Sequence, residues 1–286
     1  MTDPFDLMQA DAYLAWREQK LTHAYTSDLV VEINDPCKLT AAERGALLAR
    51  CNRSNMAIYA AHTPIDETGL QSLGLQFGLQ RLDANWLAGE AGITRITVCS
   101  SEPSQTYIPY TDRAIKWHTD GYYNPPERRI RAMVLHCASA AGQGGINRIM
   151  DHEIAYLMLR DANPDFIRAL SRNDAMTIPA RTDEQGIARA AQAGPVFFVD
   201  QQTLHMRYTA RTRSIEWKQD EATLCAVAAL EELLASSTPH IHTVKLEPGM
   251  GLLCNNVLHD RSAFTDDPLH PRLLYRARYL DRLSTT

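Results

Sequence analysis

The distribution of short apolar segments after residue 93 constrains the fold of this chain more than any other feature of the sequence. Turns separate these segments at irregular intervals, which is typical of an all-β architecture. The predicted strands cover residues 93–99, 131–137, 146–150, 195–199, 204–209, 241–246, 251–254 and 273–280. In this region helices are predicted at 152–161, 164–171 and 218–235, so the strict strand–helix alternation of a Rossmann sheet is absent. The pattern predicts a mostly β fold, a sandwich or a barrel with helical cover.

The N-terminal third of the chain carries the remaining helix signals. A first helix is expected over residues 4–20, with Pro4 in its first turn. The Thr40–Glu43 capping box predicts the start of a second helix, and residues 56–61 are predicted to form a strand. Asp66 is expected to start a further helix that runs to Gly78. No repeat, linker or low-complexity segment marks a domain boundary.

The composition narrows the range of partners. The 286 residues include 29 lysines and arginines against 34 aspartates and glutamates, a net charge of −5. This balance argues against nucleic acids and anionic membranes as charge-driven partners, and leaves a small-molecule substrate as the expected partner. The sequence has no run of ~18 apolar residues and no signal-peptide pattern at its start, so we expect a cytoplasmic protein without a membrane span. The six scattered cysteines form no CxxC pair and are expected to be reduced thiols.

A possible metal site begins at Trp117-His118-Thr119-Asp120-Gly121. In an extended segment His118 and Asp120 point the same way, roughly 6.6 Å apart along the chain, so both can reach one ion. An imidazole and a carboxylate suit iron(II), manganese or zinc, but a third ligand is required. His259 is the best candidate, at the end of an apolar segment (251–259) that we expect to be one strand.

Arginines cluster shortly after His259. Arg272, Arg276 and Arg278 lie on one face of a predicted strand, with about 13 Å between the first two along the chain. If this face is buried, the guanidinium groups require anions, and a dicarboxylate ligand would meet them in bidentate contacts. A solvent-facing edge strand would need no ligand, and for Arg278 this alternative is as good as a functional role.

Taken in order, these residues resemble the taurine dioxygenase-like iron(II)/2-oxoglutarate oxygenases, to which the γ-butyrobetaine hydroxylases are related. The motifs that carry the resemblance are His118-Thr-Asp120, Gly144-Gly145 ahead of a helix started by Asp151, then His259, Arg272 and Arg276. The similarity runs from about Lys38 to Leu280. It implies a double-stranded β-helix (jelly-roll) core in a single oxygenase domain over 1–286, in which 1–37 are a helical extension and 38–286 the catalytic part.

The resemblance also implies the chemistry. His118, Asp120 and His259 match the iron ligands, and Arg272 matches the arginine that holds the distal carboxylate of 2-oxoglutarate. Arg276 matches a second arginine nearer the metal that contacts the co-substrate or an acidic substrate. The cofactors implied are therefore Fe(II), 2-oxoglutarate as co-substrate and O2. The products implied are succinate and CO2. Since Asp120 retains the carboxylate, the resemblance also implies hydroxylation, or a related desaturation, of a small polar metabolite.

One position departs from the family pattern. The family commonly has a threonine after its Gly-Gly-Asp, in contact with the co-substrate, whereas this chain has Asn147 after Gly144-Gly145-Ile146. An asparagine amide can still donate a hydrogen bond there, so Asn147 is kept as a cofactor-binding candidate.

The residues after Asp120 are expected to lie on the substrate side. Tyr122, Tyr123 and Asn124 follow the ligand directly, and strand alternation turns only one of the two tyrosines towards the metal. Tyrosines can form a cage for a quaternary ammonium group, although packing tyrosines are commoner. An acidic substrate that meets Arg276 is an equal alternative.

Two other functions compete with the oxygenase. His240-Ile-His242 is a second same-face pair with metal spacing, which would support a zinc-dependent hydrolase, although an exposed strand start explains it better. A non-catalytic jelly-roll that senses 2-oxoglutarate is the other alternative. Neither should form succinate in the presence of iron and a substrate. A homo-oligomer is compatible with the sequence.

Overall fold

The computed structural model of the chain describes residues 3–24, 28–83, 92–98, 107–183, 186–267 and 269–284. The helices in this part of the chain are α1 (Ala10–Ala24), α2 (Ala41–Ser54), α3 (Glu67–Leu75), α4 (His152–Ala162), α5 (Pro164–Leu170) and α6 (Glu221–Ala235). Short 3-10 helices lie at Ile108–Tyr110, Pro126–Arg128 and Thr212–Ser214.

The strands are β1 (Val30–Ile33), β2 (Met56–Ala61), β3 (Thr94–Ile96), β4 (Ile115–His118), β5 (Ala132–Ser139), β6 (Gln143–Gly144), β7 (Asn147–Met150), β8 (Met176–Ile178), β9 (Arg181–Asp183), β10 (Gly186–Arg189), β11 (Gln192–Gly194), β12 (Phe197–Asp200), β13 (Thr203–Met206), β14 (Glu216–Trp217), β15 (His242–Val244), β16 (Met250–Cys254), β17 (Leu258–Arg261), β18 (Phe264–Thr265) and β19 (Leu273–Tyr279). The mostly β fold with helical cover predicted from the sequence is confirmed.

Two sheets form the centre of the structure. The larger has six strands in the order β1-β2-β16-β5-β19-β3, and the smaller has four in the order β15-β7-β17-β4. All neighbouring strands in them are antiparallel except β1 and β2, which pair in parallel. Strand β1 lies before residue 38, so the six-stranded sheet includes residues from the stretch predicted as an N-terminal extension.

Three clusters of buried apolar side chains hold the layers together. One cluster joins the two sheets, since it includes Leu135 of β5, Leu252 of β16 and Ile149 of β7. A second lies between the six-stranded sheet and helices α2 and α3, which explains why most of β5 is buried and apolar. The third packs helices α4–α6 against strands that include β7, β8, β12 and β13. The sheets therefore provide a rigid frame, and the smaller sheet carries the two candidate histidine ligands, His118 and His259.

Aspartate and threonine caps fix the starts of most helices. Thr40 accepts a hydrogen bond from the Glu43 amide, while the Glu43 side chain bonds the Thr40 amide, so the predicted capping box is confirmed. The carboxylates of Asp66, Asp151 and Asp220 cap α3, α4 and α6. Each side chain satisfies an amide that has no partner within its own helix.

The first helix lies further along the chain than the sequence predicted. It covers Ala10–Ala24 rather than 4–20, and Pro4 belongs to a turn instead of the first helical turn. Asp3 and Asp6 accept hydrogen bonds from the amides of Phe5 and Met8. These local bonds stabilise turns, and so compete with a helix in this segment.

The predicted strands are confirmed with shifts of a few residues at their ends, although β3 is limited to 94–96, and Cys99 lies outside the described residues. The strands that the sequence analysis missed between 176 and 194 are three or four residues long. Of the cysteines described, Cys51, Cys137 and Cys254 are buried free thiols, whereas Cys37 and Cys225 are exposed free thiols.

Candidate metal centre

Two histidines face each other across the smaller sheet. In the antiparallel pairing of β17 with β4, His259 is directly opposite His118, and the centroids of their rings lie 4.2 Å apart. His259 is not at the end of the strand that precedes it, as the sequence analysis expected. Strand β16 ends at Cys254 in the larger sheet, the chain turns at Asn255–Asn256, and His259 belongs to β17 in the smaller sheet.

Both imidazoles are oriented in the same way. The Nδ1 atom of His118 lies 3.0 Å from the carbonyl oxygen of Lys116, and that of His259 lies 2.9 Å from the carbonyl oxygen of Val257. A carbonyl only accepts, so Nδ1 carries the proton and Nε2 retains a lone pair. Burial, together with the neighbouring His259, lowers the pKa of His118 to about 3, which keeps its ring neutral and able to bind a metal.

Asp120 completes the group. In the described part of the chain, the ligand atoms of His118, Asp120 and His259 form the one set of this kind, all within 4.8 Å of one another. Asp120 is buried, and its Oδ2 has no hydrogen-bond partner. Two free imidazole nitrogens and an unsatisfied carboxylate oxygen fit a divalent metal of the 2-His-1-carboxylate type.

Arg276 neutralises the other oxygen of this carboxylate. Its Nη1 atom donates a 3.1 Å hydrogen bond to Oδ1 of Asp120. Burial alone would raise the pKa of Asp120, but the positive charges of Arg276 and Arg278 more than offset it, so the pKa lies well below its usual range. Asp120 is therefore ionised and ready to bind a cation without first releasing a proton.

The turn at Gly121 follows from the backbone. Gly121 has a φ of +65°, and a Cβ atom at this position would lie 2.4 Å from Cγ1 of Ile130. Both the conformation and the lack of space favour glycine. The chain therefore turns away from the metal centre immediately after Asp120.

A cavity adjoins the histidines and contains several arginines. Its lining includes His118, His259, Asn147, Arg272 and Arg276. Arg276 lies in β19 of the six-stranded sheet and Arg272 immediately precedes that strand, whereas the histidines come from β4 and β17 of the four-stranded sheet. The cavity thus opens between the two sheets, beside the candidate ligands.

Arg272 is buried, with 4% of its surface exposed, and its guanidinium forms no ion pair with a carboxylate of the described residues. Within these residues its backbone amide donates a hydrogen bond to Oδ1 of Asp266. Nearby, the Nδ2 atom of Asn147 is buried without a partner. A buried cation and an unpaired amide donor in one cavity favour a carboxylate ligand.

A second buried arginine lies beside Arg272. The guanidinium carbons of Arg261 and Arg272 lie 4.7 and 4.9 Å from the centroid of the Phe264 ring. Arg261 is anchored by hydrogen bonds from Nη2 to the carbonyl oxygens of Thr111 and Arg113. Burial and the charge of Arg272 lower the pKa of Arg261 to about 9, so this end of the cavity strongly favours an anion.

The structure separates the three residues predicted on the substrate side. Tyr123 points towards the arginines, since its hydroxyl oxygen accepts a 2.9 Å hydrogen bond from Nη1 of Arg278. Tyr122 instead packs in the apolar cluster around helices α4–α6. The Asn124 amide donates to the carbonyl oxygen of Arg128, which stabilises the loop. The two tyrosines lie in the turn that follows β4 rather than in a strand, so their different neighbours, and not strand alternation, separate them.

Arg278 has a structural role that the sequence analysis left open. It is 3% exposed and forms a 2.8 Å ion pair with the buried Asp83. The alternative of a solvent-facing edge strand is therefore wrong for Arg278. The ion pair fixes the guanidinium that holds the hydroxyl group of Tyr123.

His240 and His242 do not form a second metal site in the part of the chain that the structure describes. No third ligand lies within coordination distance of the pair. His240 is 8% exposed, so the expectation of an exposed strand start is wrong for this residue. It lies in the turn before β15.

No helix in the described residues is long and apolar enough to cross a membrane.

Comparisons with known proteins agree with this geometry. The sequence model of one family, described as "Taurine catabolism dioxygenase TauD, TfdA family", matches residues 18–278. A curated relative, the uridine-5'-phosphate dioxygenase of an Amycolatopsis species, is 29% identical over 188 residues, which cover 63% of this chain and 66% of the relative. The match therefore spans slightly less than two thirds of the relative's length.

Solved structures share the fold at low sequence identity. An asparagine oxygenase in complex with Fe(II), 3-hydroxyasparagine and succinate is 16% identical, with a TM-score of 0.58 over 93% of this chain and 91% of the other. The non-heme iron oxygenase OrfP in complex with Fe and α-ketoglutaric acid is 14% identical, with a TM-score of 0.61 over 87% of this chain and 93% of the other. These similarities confirm the jelly-roll architecture expected from the sequence.

Proposed function

Because this chain belongs to the TauD/TfdA family of taurine catabolism dioxygenases, we propose that it is an iron(II)- and 2-oxoglutarate-dependent oxygenase that hydroxylates a small polar metabolite. The observation that carries the proposal is the convergence of His118, Asp120 and His259 beside a cavity lined by Arg272, which forms no ion pair with the described residues. When bound, iron supplies the oxidative decarboxylation of 2-oxoglutarate to succinate and CO2 with O2, and the oxidation of a substrate C–H bond.

The protein's contribution at the metal is to orient three donors. The carbonyl oxygens of Lys116 and Val257 hold the imidazoles so that Nε2 of His118 and of His259 is free. Arg276 bonds one oxygen of Asp120 and leaves the other for the ion. Second-shell bonds of this kind fix ligand orientation and tautomer. Three protein donors leave coordination positions for the co-substrate and O2.

The cavity supplies the co-substrate site. Arg272 holds the distal carboxylate of 2-oxoglutarate in a bidentate contact, since its buried guanidinium has no other acidic partner in the described chain. Asn147 donates its unpaired Nδ2 hydrogens to the same carboxylate. Arg276, which also lines the cavity, meets the end of the co-substrate nearest the metal or an acidic group of the substrate. These contacts position 2-oxoglutarate and exclude water from the end of the cavity that Arg272 lines.

The substrate side is formed by Tyr123, and we infer that the substrate carries an anionic group. Arg189 lies beside this tyrosine, with Cζ 5.7 Å from the centroid of its ring. Nη2 of Arg189 donates to the carbonyl oxygen of Pro179, but no carboxylate in the described chain forms an ion pair with it. Uridine 5′-phosphate is therefore the first compound to test, because the curated relative is named for it.

Other features of the proposal concern the whole protein. We place residues 1–286 in a single oxygenase domain located in the cytoplasm, with a small molecule as its partner and neither nucleic acid nor membrane bound. Formation of a homo-oligomer fits the same proposal.

The direct test is iron-dependent succinate formation. The purified protein is incubated with Fe(II), 2-oxoglutarate and O2, and succinate is measured with uridine 5′-phosphate, taurine, asparagine, arginine or a betaine added one at a time. We expect one of these classes to stimulate succinate formation and to gain one oxygen atom. A zinc-dependent hydrolase would form no succinate, and a 2-oxoglutarate sensor would bind the co-substrate without turnover. Either result would refute the proposal.

A further inference from the structure

Asn256 occupies the turn that carries the chain from one sheet to the other. It follows β16 of the larger sheet and precedes β17, which holds His259. Its φ is +51°, a left-handed conformation that asparagine tolerates better than most residues other than glycine. It is 6% exposed. The side chain is therefore buried at a strained turn, three residues before a candidate ligand.

The side-chain amide of Asn256 forms three hydrogen bonds with backbone atoms, and two of them are with Asp120. Its Oδ1 accepts a 2.7 Å hydrogen bond from the amide of Asp120. Its Nδ2 donates to the carbonyl oxygen of Asp120 over 3.0 Å and to that of Ile130 over 2.8 Å. Asn256 thus clamps Asp120 on both sides of its Cα atom.

Asp120 needs such a contact because the sheet does not hold it. Strand β4 ends at His118, whose position is fixed by pairing with β17. Asp120 lies two residues beyond the strand, ahead of the turn at Gly121. Arg276 bonds the Asp120 carboxylate but not its backbone.

We infer that Asn256 is a positioning residue that sets the backbone of Asp120 relative to His259. The inference rests on the proposed metal centre and adds a determinant of its geometry. One amide joins the two segments that supply the ligands, so loss of the amide should let Asp120 drift while both histidines keep their register. The expected consequence is weaker metal binding by a folded protein.

The neighbouring Asn255 provides a matched control. It is also buried, and its Nδ2 donates to Oδ1 of Asn55 over 3.1 Å while its Oδ1 accepts from the amide of Leu283. These bonds tie the turn to the end of α2 and to the C-terminal segment. None of them reaches a candidate ligand, so Asn255 should support the fold without setting the metal geometry.

The test compares Asn256→Gly, Asn256→Asp, Asn255→Ala and Asp120→Ala with the unchanged protein. Glycine tolerates the positive φ, so Asn256→Gly removes the amide without adding backbone strain. Asn256→Asp keeps the shape and the acceptor but removes the donors to two carbonyl oxygens. Each protein is titrated with cobalt(II) by calorimetry, and its thermal midpoint is measured with and without the ion.

We expect Asn256→Gly and Asn256→Asp to weaken cobalt(II) binding by about 10- to 100-fold, the usual effect of losing an outer-shell partner. Asn255→Ala should lower the thermal midpoint of the metal-free protein and leave the cobalt(II) affinity within about twofold. If Asn256→Gly does not fold, the isosteric Asn256→Asp variant decides the question. Its failure to fold as well would assign Asn256 to the fold and overturn the inference.

The outcomes separate the inference from the proposed function. If the unchanged protein binds cobalt(II) and Asp120→Ala does not, the metal centre stands. Affinity in either Asn256 variant equal to that of the unchanged protein would then overturn the positioning role alone. If Asp120→Ala binds cobalt(II) as well as the unchanged protein does, the proposed metal centre itself fails.

Discussion

Arg276 donates a 3.1 Å hydrogen bond to Oδ1 of Asp120, while Oδ2 of the same carboxylate is buried without a partner. The two side chains expose only 11% and 5% of their surface. One oxygen is thus held by a fixed positive charge, and the other is left for a metal ion. Because each side chain neutralises the charge of the other, removal of either should destabilise the metal-free protein as well as the metal-bound one.

We predict that Asp120→Ala destabilises the metal-free protein more than His259→Ala does. The first variant leaves Arg276 as a buried cation without its carboxylate, which costs about 3–5 kcal/mol. The second removes a ligand but leaves the ion pair intact. Chemical denaturation without metal measures both free energies of unfolding. Equal losses in the two variants would mean that Arg276 finds compensation elsewhere.

Substitution of Arg272 should weaken 2-oxoglutarate binding selectively. Arg272→Gln removes the charge opposite the distal carboxylate, and the expected loss of binding is about 2–5 kcal/mol, seen as a higher KM for 2-oxoglutarate. Arg272→Lys should recover only part of it, because an ammonium group cannot make the two-pronged contact. Cobalt(II) affinity should stay unchanged.

The control for this prediction is Arg95→Gln on the edge strand β3, where the arginine is exposed and paired with Glu67. Its KM for 2-oxoglutarate should not change. If Arg276→Gln rather than Arg272→Gln raised the KM steeply, the roles of the two arginines would be exchanged.

Asn147→Ala should leave the stability of the co-substrate-free protein unchanged or raise it, but should weaken the binding of 2-oxoglutarate. Without co-substrate, the Nδ2 atom of Asn147 is buried and unpaired, so its removal is nearly neutral or stabilising. With 2-oxoglutarate bound, loss of a hydrogen bond to a carboxylate should cost about 1.5–3 kcal/mol of binding. Thermal midpoints with and without 2-oxoglutarate, under exclusion of O2, measure both effects. A threonine in place of Asn147 should restore part of the affinity.

The two adjacent tyrosines should respond differently to truncation. Tyr123→Ala should change substrate preference or the ratio of succinate to hydroxylated product, because its hydroxyl group lies beside Arg278 near the site. Tyr122→Ala should instead lower stability by about 3–5 kcal/mol, as expected for a large aromatic side chain in the core. Succinate and product are quantified for both variants, along with their thermal midpoints. A Tyr123→Ala enzyme with unchanged kinetics would exclude this residue from the substrate site.

The free energy of unfolding should decrease as the pH is lowered below neutrality, partly because of His136. This residue is buried and lies 3.0 Å from the hydroxyl oxygen of Tyr59, and burial lowers its pKa to about 4. The pKa of an unfolded histidine is about 6.5, so between pH 6.5 and pH 4 the unfolded chain binds a proton at this residue and the folded protein does not. The stability that the neutral His136 contributes is therefore fully present above pH 6.5 and is lost as the pH falls towards 4. His136→Gln should flatten the slope of unfolding free energy in this window by up to about 1.4 kcal/mol per pH unit. An unaltered slope would contradict the assignment.

The sequence was sufficient to predict the elements with strong local signals. Thr40 and Glu43 satisfy each other's backbone within one turn, so the start of α2 follows from neighbours in the chain. His118 and Asp120 were predicted to share a direction from the alternation of an extended segment, and their ligand atoms do lie together, although β4 ends at His118. In contrast, two features become apparent only when both sheets are present: the buried Nδ2 atom of Asn147, and the buried Arg272, which forms no ion pair within the described residues.

The change of sheet at Asn255–Asn256 shows where local reasoning fails. The apolar run from Gly251 to His259 was interpreted as one strand, although the Asn-Asn pair was a turn signal within it. The role of Asn256 was missed because its hydrogen bonds reach Asp120 and Ile130, more than a hundred residues away in sequence. The split between Tyr122 and Tyr123 was likewise a matter of tertiary packing.

The pairing of His118 with His259 determines when the metal centre can exist during synthesis of the chain. The two residues are 141 positions apart (259 − 118) and meet only through the pairing of β4 with β17. Such a long loop closes late, since its conformational entropy must be overcome before the contact forms. A ribosome-bound chain that ends before His259 thus has an incomplete set of ligands. The proposed oxidative chemistry therefore cannot begin in the unfinished polypeptide before β17 has been made.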